Sequence, residues 1–253
     1  MTSRALSFGE VAVRYERFRP GYPDELVHAV LDYAGRPVRQ ALEIGAGTGK
    51  ATRAFAARGV DVTATDPDGA MFGELRRHVP AGVVTMQASL EDLGPTGRFD
   101  LVFAAASLHW TEPSGRWPRI AARLEPAGVV ASFGGPVELA DEPLQDAVRA
   151  ARAPFLSDDG VPSPDGTPPD RVMQWPGTEL EQSPLFTDVR QLVIERRLRW
   201  PAQAWVGYLS TVSAYLQLPG VQREQVFTRT LQVLPEQVEV HADVILHLAR
   251  RPS

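Results

Sequence analysis

Gln40-Ala41-Leu42-Glu43-Ile44-Gly45-Ala46-Gly47-Thr48-Gly49-Lys50 is the stretch that decides the fold. A short apolar run carrying one acid is followed by three glycines at alternate positions. Glycine lets a backbone turn sharply and approach a ligand closely, and a helix that opens at such a turn aims its N-terminal N–H groups at that ligand. The reading is a strand, a tight turn and a helix over Thr48–Arg58. The spacing also argues against two familiar loops. A dinucleotide fingerprint needs a third glycine where this chain has Lys50. A phosphate-cradling loop ends in Gly-Lys-Ser/Thr, whereas Gly49-Lys50-Ala51 lacks the hydroxyl that holds magnesium.

Outward from this turn, residues 40–132 alternate short β-rich runs with helical stretches, the pattern of a doubly wound α/β sheet flanked by helices. Strands are predicted at Ala41–Ile44, Val60–Thr65, Val83–Gln87, Leu101–Ala105 and Val129–Phe133, and further helices at Gly69–His78 and Ser114–Leu124. The strands are uninterrupted apolar runs, as expected when both faces are covered. Upstream, Pro23–Tyr33 reads as a helix with Asp24 and Glu25 in its first turn and Gly35 past its end. The segment before it, Phe8–Tyr22, is rich in Tyr and Arg. Downstream, Pro154–Pro184 reads as an irregular excursion, and an ordered loop of that length is usually functional. Val189–Arg197 is β-like. Pro201–Leu218 reads as one helix with Trp205, Tyr208, Leu209, Val212 and Leu216 on one face. A further helix is predicted over Arg223–Leu234, and Val238–Leu248 closes the chain as a strand.

The 253 residues are 43% apolar, enough for one large α/β domain. A formal net charge of -5 offers no basic field for a phosphate backbone, so nucleic acid and anionic membrane are not expected partners. With no cysteine, disulfides, thiolate metal sites and cysteine nucleophiles are excluded. Met1–Ala12 has no apolar stretch suited to a signal peptide, and no segment approaches the ~20 apolar residues of a membrane span. A soluble, cytoplasmic protein is expected, as a monomer or homodimer. His28, His78, His241 and His247 show no ligand spacing, so no metal site is indicated.

Chemistry gathers at the carboxyl ends of the predicted strands, where open α/β sheets bind ligands. Asp66 ends the second strand, placed either to accept from the sugar hydroxyls of a nucleoside or to cap the helix that follows. Ala88-Ser89-Leu90-Glu91 offers polar groups and an apolar surface to an adenine. His109 follows the fourth strand, as a base for a hydroxyl or amine or as a packed structural residue. Trp110 reads as a pocket wall.

In this order the elements resemble the class I S-adenosylmethionine-dependent methyltransferases. Tyr15, Arg19-Pro20-Gly21-Tyr22-Pro23, Ser107-Leu108-His109-Trp110 and Leu209-Ser210-Thr211-Val212-Ser213 are similar to the small methyltransferases related to trans-aconitate methyltransferases. The resemblance implies a mostly parallel seven-stranded sheet with a helical and irregular lid. The cofactor-binding core would lie at 36–136, lid and acceptor elements at 1–35 and about 137–235, and the closing strand at 236–253, all in one domain. It implies S-adenosyl-L-methionine as cofactor and S-adenosyl-L-homocysteine as product. Gly45, Gly47 and Gly49 would meet the methionine portion, Glu43 its amino group, Asp66 the ribose, and Ser89 and Leu90 the adenine. Ala46, Pro67, Met71 and Ala105 complete that set, with Tyr15 and Arg19 as a cover. Tyr22, Trp110, Trp205, Tyr208 and Ser213 would line the pocket of a small-molecule acceptor, methylated on a carboxylate or hydroxyl oxygen. The competing readings are a protein or nucleic acid acceptor, a nucleoside-binding protein without catalysis, and a dehydrogenase, which Lys50 already weakens.

Overall fold

In the computed structural model, residues 11–94, 97–160, 162–168 and 170–253 are described. Phe8, Gly9 and Glu10 of the Tyr/Arg-rich segment, most of Met1–Ala12, and Val161 and Pro169 of the excursion lie outside them.

The helices in chain order are α1 (Ala12–Phe18), α2 (Asp24–Ala34), α3 (Lys50–Ala56), α4 (Gly69–His78), α5 (Arg116–Arg123), α6 (Glu142–Arg152), α7 (Gly177–Gln182), α8 (Ala202–Leu209), α9 (Ser213–Leu216) and α10 (Gly220–Val233). The strands are β1 (Gln40–Ile44), β2 (Asp61–Thr65), β3 (Val84–Met86), β4 (Phe99–Ala105), β5 (Leu124–Gly134), β6 (Glu138–Leu139), β7 (Thr187–Ile194), β8 (Arg197–Pro201), β9 (Gln237–His241) and β10 (Val244–Arg250). Seven of them form one sheet in the order β3-β2-β1-β4-β5-β10-β7. The first five run parallel, and β10 is antiparallel to both β5 and β7. This is the mostly parallel Rossmann-like sheet expected.

Strand residues alternate between two buried faces, which is why the strands are continuously apolar. Ala41, Leu101, Phe103, Val129 and Ala131 pack against Leu26, Val27 and Val30 of α2 and Phe55 of α3. Leu42, Ile44, Val102, Ala104 and Val130 face Ile120 of α5 and Leu180 of α7. Phe55, Phe103 and Phe133 form a ring ladder, with Phe55 and Phe103 centroids 4.5 Å apart. Strand order reverses between β1 and β4, and that crevice is where such sheets take ligands.

Four sequence readings need correction, all in the second half. Pro201–Leu218 is two helices, α8 and α9. Ser210 Oγ donates to Gly207 O and Thr211 Oγ1 to Tyr208 O, both at 2.7 Å, and hydroxyls that bond back to the last turn compete with helix continuation. Val238–Leu248 is two strands: β9 belongs to a three-stranded sheet ordered β6-β9-β8, and only β10 joins the large sheet. Asp243 lies at the break, where its Oδ1 accepts from Arg196 N at 2.7 Å and Arg197 Nη1 at 2.6 Å. Val189–Arg197 likewise divides into β7 and β8. The excursion is not wholly irregular, since it contains α7; β6 and α6, which the sequence reading left unassigned, precede it. The small sheet and α6, α8 and α10 enclose their own apolar core around Trp205, Tyr215, Val226 and Val240.

Candidate functional site

β1 ends at Ile44, and the glycine turn follows with φ of 66° at Gly45, 57° at Gly47 and 85° at Gly49. Gly45 is needed for more than its φ. A Cβ there would lie 2.6 Å from Ser107 Cβ, because the turn after β4 packs directly on the turn after β1. Ser107 Oγ donates to Ile44 O at 2.5 Å and ties the two turns together. Between β4 and Ser107, Ala106 adopts φ of 53°, a left-handed conformation that costs an alanine energy and is typical of sites that hold a chosen geometry.

Asp66 follows β2. Its Oδ2 accepts from Gly47 N at 2.8 Å and its Oδ1 from Asp68 N at 2.9 Å, so the acid braces the glycine loop from the neighbouring strand. Burial raises its pKa to about 6, against the lowering effect of those two backbone donors. Asp66 does not cap α4. That role falls to Asp68, whose Oδ1 accepts from Ala70 N at 2.9 Å and Met71 N at 3.0 Å.

Glu43 is fully buried beneath the loop, and burial pushes its pKa up to about 8. Thr52 Oγ1 donates to its Oε2 in a short hydrogen bond, while Oε1 has no partner. A buried carboxylate oxygen without a donor is rare enough to demand an explanation.

Above the loop lies α1. Glu16 Oε1 pairs with Arg53 Nη2 at 2.7 Å, and Lys50 Nζ donates to Glu16 O at 2.6 Å, which fastens α1 onto the helix that the glycine turn opens. Lys50, where a dinucleotide loop needs glycine, thus anchors this cover. Arg19 fixes the other side. Its Nε donates to Thr211 Oγ1 at 2.8 Å and its Nη2 to Thr211 O at 3.0 Å, and its guanidinium lies over the rings of Tyr15 and Tyr208, 5.1 and 4.7 Å from their centroids.

These elements enclose a small cavity of about 70 Å³ beside Glu43 and a large one of about 950 Å³. Tyr15, Arg19, Gly45, Gly47, Ala105 and Tyr208 line both. Tyr22, Glu43 and Ala46 line the small one alone. The large one also gathers Asp66, Pro67, Met71, Ser89, Leu90, His109, Trp110 and Ser213. Gly49 and Trp205 line neither. A Cβ at Gly49 would meet Val79 and Leu75, and Trp205 is buried in the core of the small sheet. His109 and Trp110 sit on a single helical turn, Leu108–Trp110, with ring centroids 4.4 Å apart.

The sequence assigned lid and acceptor elements to about 137–235 but named none of the side chains in the far wall of the large cavity. Trp175, Gln174, Asp158 and Asp159 come from the excursion and His247 from β10. Gln191 of β7 pins them. Its Oε1 accepts from Gln174 N at 2.7 Å and lies 2.9 Å from His247 Nε2, while its Nε2 donates to Val172 O at 2.9 Å. Burial holds the His247 pKa down to about 4. Arg116, buried on α5, lies over the Trp175 ring and binds Thr111 and Glu179. Asp159 pairs with Arg152 and accepts from Tyr215 OH at 3.0 Å. Among the described residues no three acidic or histidine side chains converge as metal ligands, and no helix is long and apolar enough to cross a membrane.

Residues 41–128, which hold the glycine turn, Asp66 and His109, match a family model described as a methyltransferase domain. The likeness to a methyltransferase domain lies in this stretch, about a third of the chain. Among curated proteins, the chain is similar to an uncharacterized methyltransferase of Mycobacterium tuberculosis, 39% identical over 124 residues that cover 49% of this chain and 50% of that one. A trans-aconitate 2-methyltransferase of an Acidovorax species is 31% identical over 120 residues, 46% of each chain. The match therefore spans about half the length of these curated relatives. Among solved structures, a candidate type II methyltransferase from Anaeromyxobacter dehalogenans has a TM-score of 0.65 at 24% identity, covering 93% of this chain and all of that one, a likeness of fold.

The residues around the loop fit the cofactor of such a domain. The partnerless Glu43 oxygen suits an ammonium, and the small cavity beside it leaves room for an amino-acid end. Each Asp66 oxygen keeps a lone pair beyond its backbone donor for a ribose hydroxyl. Gly47 has only the Tyr15 ring within 4 Å of where its Cβ would stand, so a ligand can lie against its backbone.

Proposed function

We propose that the protein is an S-adenosylmethionine-dependent methyltransferase acting on a small-molecule acceptor. The observation that carries the reading is the pairing of two buried acids around one glycine turn: Glu43 with an unpartnered oxygen beside the small cavity, and Asp66 braced by Gly47 in the wall of the large one. When bound, the cofactor supplies an electrophilic methyl group on a sulfonium.

The chain's own part is to bind, align and exclude water. Glu43 holds the amino group, Asp66 the ribose hydroxyls, and Met71, Ser89 and Leu90 the base. Tyr15 and Arg19, clamped through Glu16 and Thr211, roof the amino-acid end. The acceptor occupies the remainder of the large cavity, between His109 and Trp110 on one side and Trp175 and Ser213 on the other. A volume of about 950 Å³ accommodates a nucleoside cofactor with a second small molecule.

Of the two acceptor oxygens expected, hydroxyl is better supported than carboxylate. Arg19 is the one arginine or lysine lining the large cavity among the described residues, and it is tied to Thr211, whereas Glu138, Asp158 and Asp159 are acids. A hydroxyl must lose its proton as it is methylated, and His109 in the cavity wall is our candidate for receiving it. Kinship with the trans-aconitate methyltransferases is supported by the placing of Arg19-Pro20-Gly21-Tyr22 and His109-Trp110 at the cavities. The tricarboxylate acceptor of that namesake does not suit this lining.

Calorimetry tests the cofactor. S-adenosylhomocysteine is expected to bind and NAD not to; tighter binding of NAD overturns the assignment. Formation of S-adenosylhomocysteine from S-adenosylmethionine with a pool of small metabolites then tests transfer.

Asp66 gives the binding a pH dependence of known sign. Its pKa of about 6 leaves it neutral below pH 6 and ionised above, and hydroxyls donate more strongly to the ionised form. Affinity for 5′-methylthioadenosine, which has the ribose but not the amino-acid end, is expected to weaken about tenfold from pH 7 to pH 5. Asp66→Asn is expected to bind it more weakly at pH 7 and with a flat pH profile. A parent profile that is itself flat would remove Asp66 from the ribose site.

A further inference from the structure

The glycine loop explains where Glu43 stands but not how its carboxylate is oriented. The structure supplies a second residue for that. Thr52, in the first turn of α3, is fully buried, and its Oγ1 donates to Glu43 Oε2. Glu43 Oε1 is left without a partner, and Glu43 lines the small cavity. The carboxylate thus has one occupied and one vacant oxygen, and the hydroxyl decides which is which. We propose that Thr52 is a positioning residue: it holds one oxygen of Glu43 so that the other faces the small cavity, ready for the amino group at the amino-acid end of an adenosyl ligand. This rests on the cofactor reading above.

The physical case has two parts. A hydroxyl donor stabilises the ionised carboxylate, opposing the burial that disfavours it. Around Glu43, Asp66 acts in the same direction as burial, whereas Arg53 acts with Thr52 to keep the charge. With Thr52 gone, the pKa of this buried acid, already about 8, rises further, so ionising it to meet an ammonium costs more, and a neutral carboxyl grips an ammonium poorly. The second part is geometric. A carboxylate tied at one oxygen has lost its freedom to turn before the ligand arrives, so less is lost on binding.

Two ligands separate positioning from mere packing. S-adenosylhomocysteine and 5′-methylthioadenosine share the nucleoside, but only the first carries the amino group. Calorimetry on Thr52→Val, which keeps the shape and removes the hydroxyl, is expected to show the Kd of S-adenosylhomocysteine raised tenfold or more. The Kd of 5′-methylthioadenosine should stay within about twofold. Thr52→Ser keeps the hydroxyl and should restore the first ligand to within about threefold of the parent. Should the valine variant not fold, Thr52→Ala, which adds no bulk, is read against the same two ligands. The proposal is overturned if the hydroxyl-free variant binds S-adenosylhomocysteine as tightly as the parent, if it loses both ligands equally, or if serine fails to restore. A parent that binds neither ligand overturns instead the cofactor reading, and the proposal with it.

Discussion

Gly45→Ala is expected to lower folding stability by about 2–5 kcal/mol and to remove measurable S-adenosylhomocysteine binding, whereas Gly47→Ala lowers stability by only about 1–2 kcal/mol. Both glycines are left-handed, so both alanines carry the same backbone strain. They differ in what the new methyl meets. At Gly47 the nearest atom is a Tyr15 ring carbon at 4.0 Å, an ordinary contact. At Gly45 it is Ser107 Cβ at 2.6 Å, next to the backbone of a residue held by its own bond to Ile44 O. No rotamer change relieves that overlap. One of the two turns must move, and the crevice between β1 and β4 opens with it. Urea denaturation of the two variants and calorimetry check this. Equal stability losses would show that the turns are not packed as described.

The second large effect is expected at Arg116. Its side chain is fully buried, with Nε donating to Thr111 Oγ1 at 2.7 Å, Nη2 to Thr111 O at 3.0 Å and Nη1 to Glu179 Oε2 at 3.1 Å. Arg116→Met keeps the apolar stem and removes all three bonds. A buried ion pair broken at one partner costs about 3–5 kcal/mol. The lower end applies here, because Glu179 is 27% exposed and keeps the indole N–H of Trp117 at 2.7 Å. A loss of about 3 kcal/mol is therefore expected in urea denaturation. The damage should fall on one half of the site. Trp175 loses the guanidinium over its ring, while Asp66 and the glycine turn keep every bond they have. Proteolysis should reach the 154–176 excursion sooner, and the Kd of S-adenosylhomocysteine should change less than threefold. A variant as stable as the parent would show that Arg116 is dispensable to the excursion's seat.

The glycine turn and the sheet that carries it were legible because each of their signals is local. Glycine spacing placed the turn, and the apolar runs placed the sheet. Helix α4 came out with both ends correct, since Asp68 caps it and Val79-Pro80 stops it. The side chains of the large cavity's far wall were not, because that wall is assembled across distance. Gln191 and His247 meet on neighbouring strands 56 residues apart, and Arg116 reaches Glu179 across 63, pairings that no local pattern announces. Trp205 and Tyr208 share a helical face and both join the core of the small sheet, yet only Tyr208 also reaches the cavities, under Arg19. Helix α6 did carry a usable signal: Asp141 accepts from Leu144 N, and Pro143 stands in the first turn.

The chain runs directly between its two sheets at three places, from β5 to β6, from β7 to β8 and from β9 to β10. Ala242 N donates to Arg196 O at 2.9 Å across the gap, and Asp243 holds the same arginine's backbone N–H. Gly135, on the connection from β5 to β6, packs on Asp243, where an added Cβ would overlap the carbonyl oxygen. Arg196 and Asp243 both border the small cavity beside Glu43. The junction of the two sheets is thus also a wall of the small cavity, so a substitution there acts on the packing of the sheets and on the cavity at once.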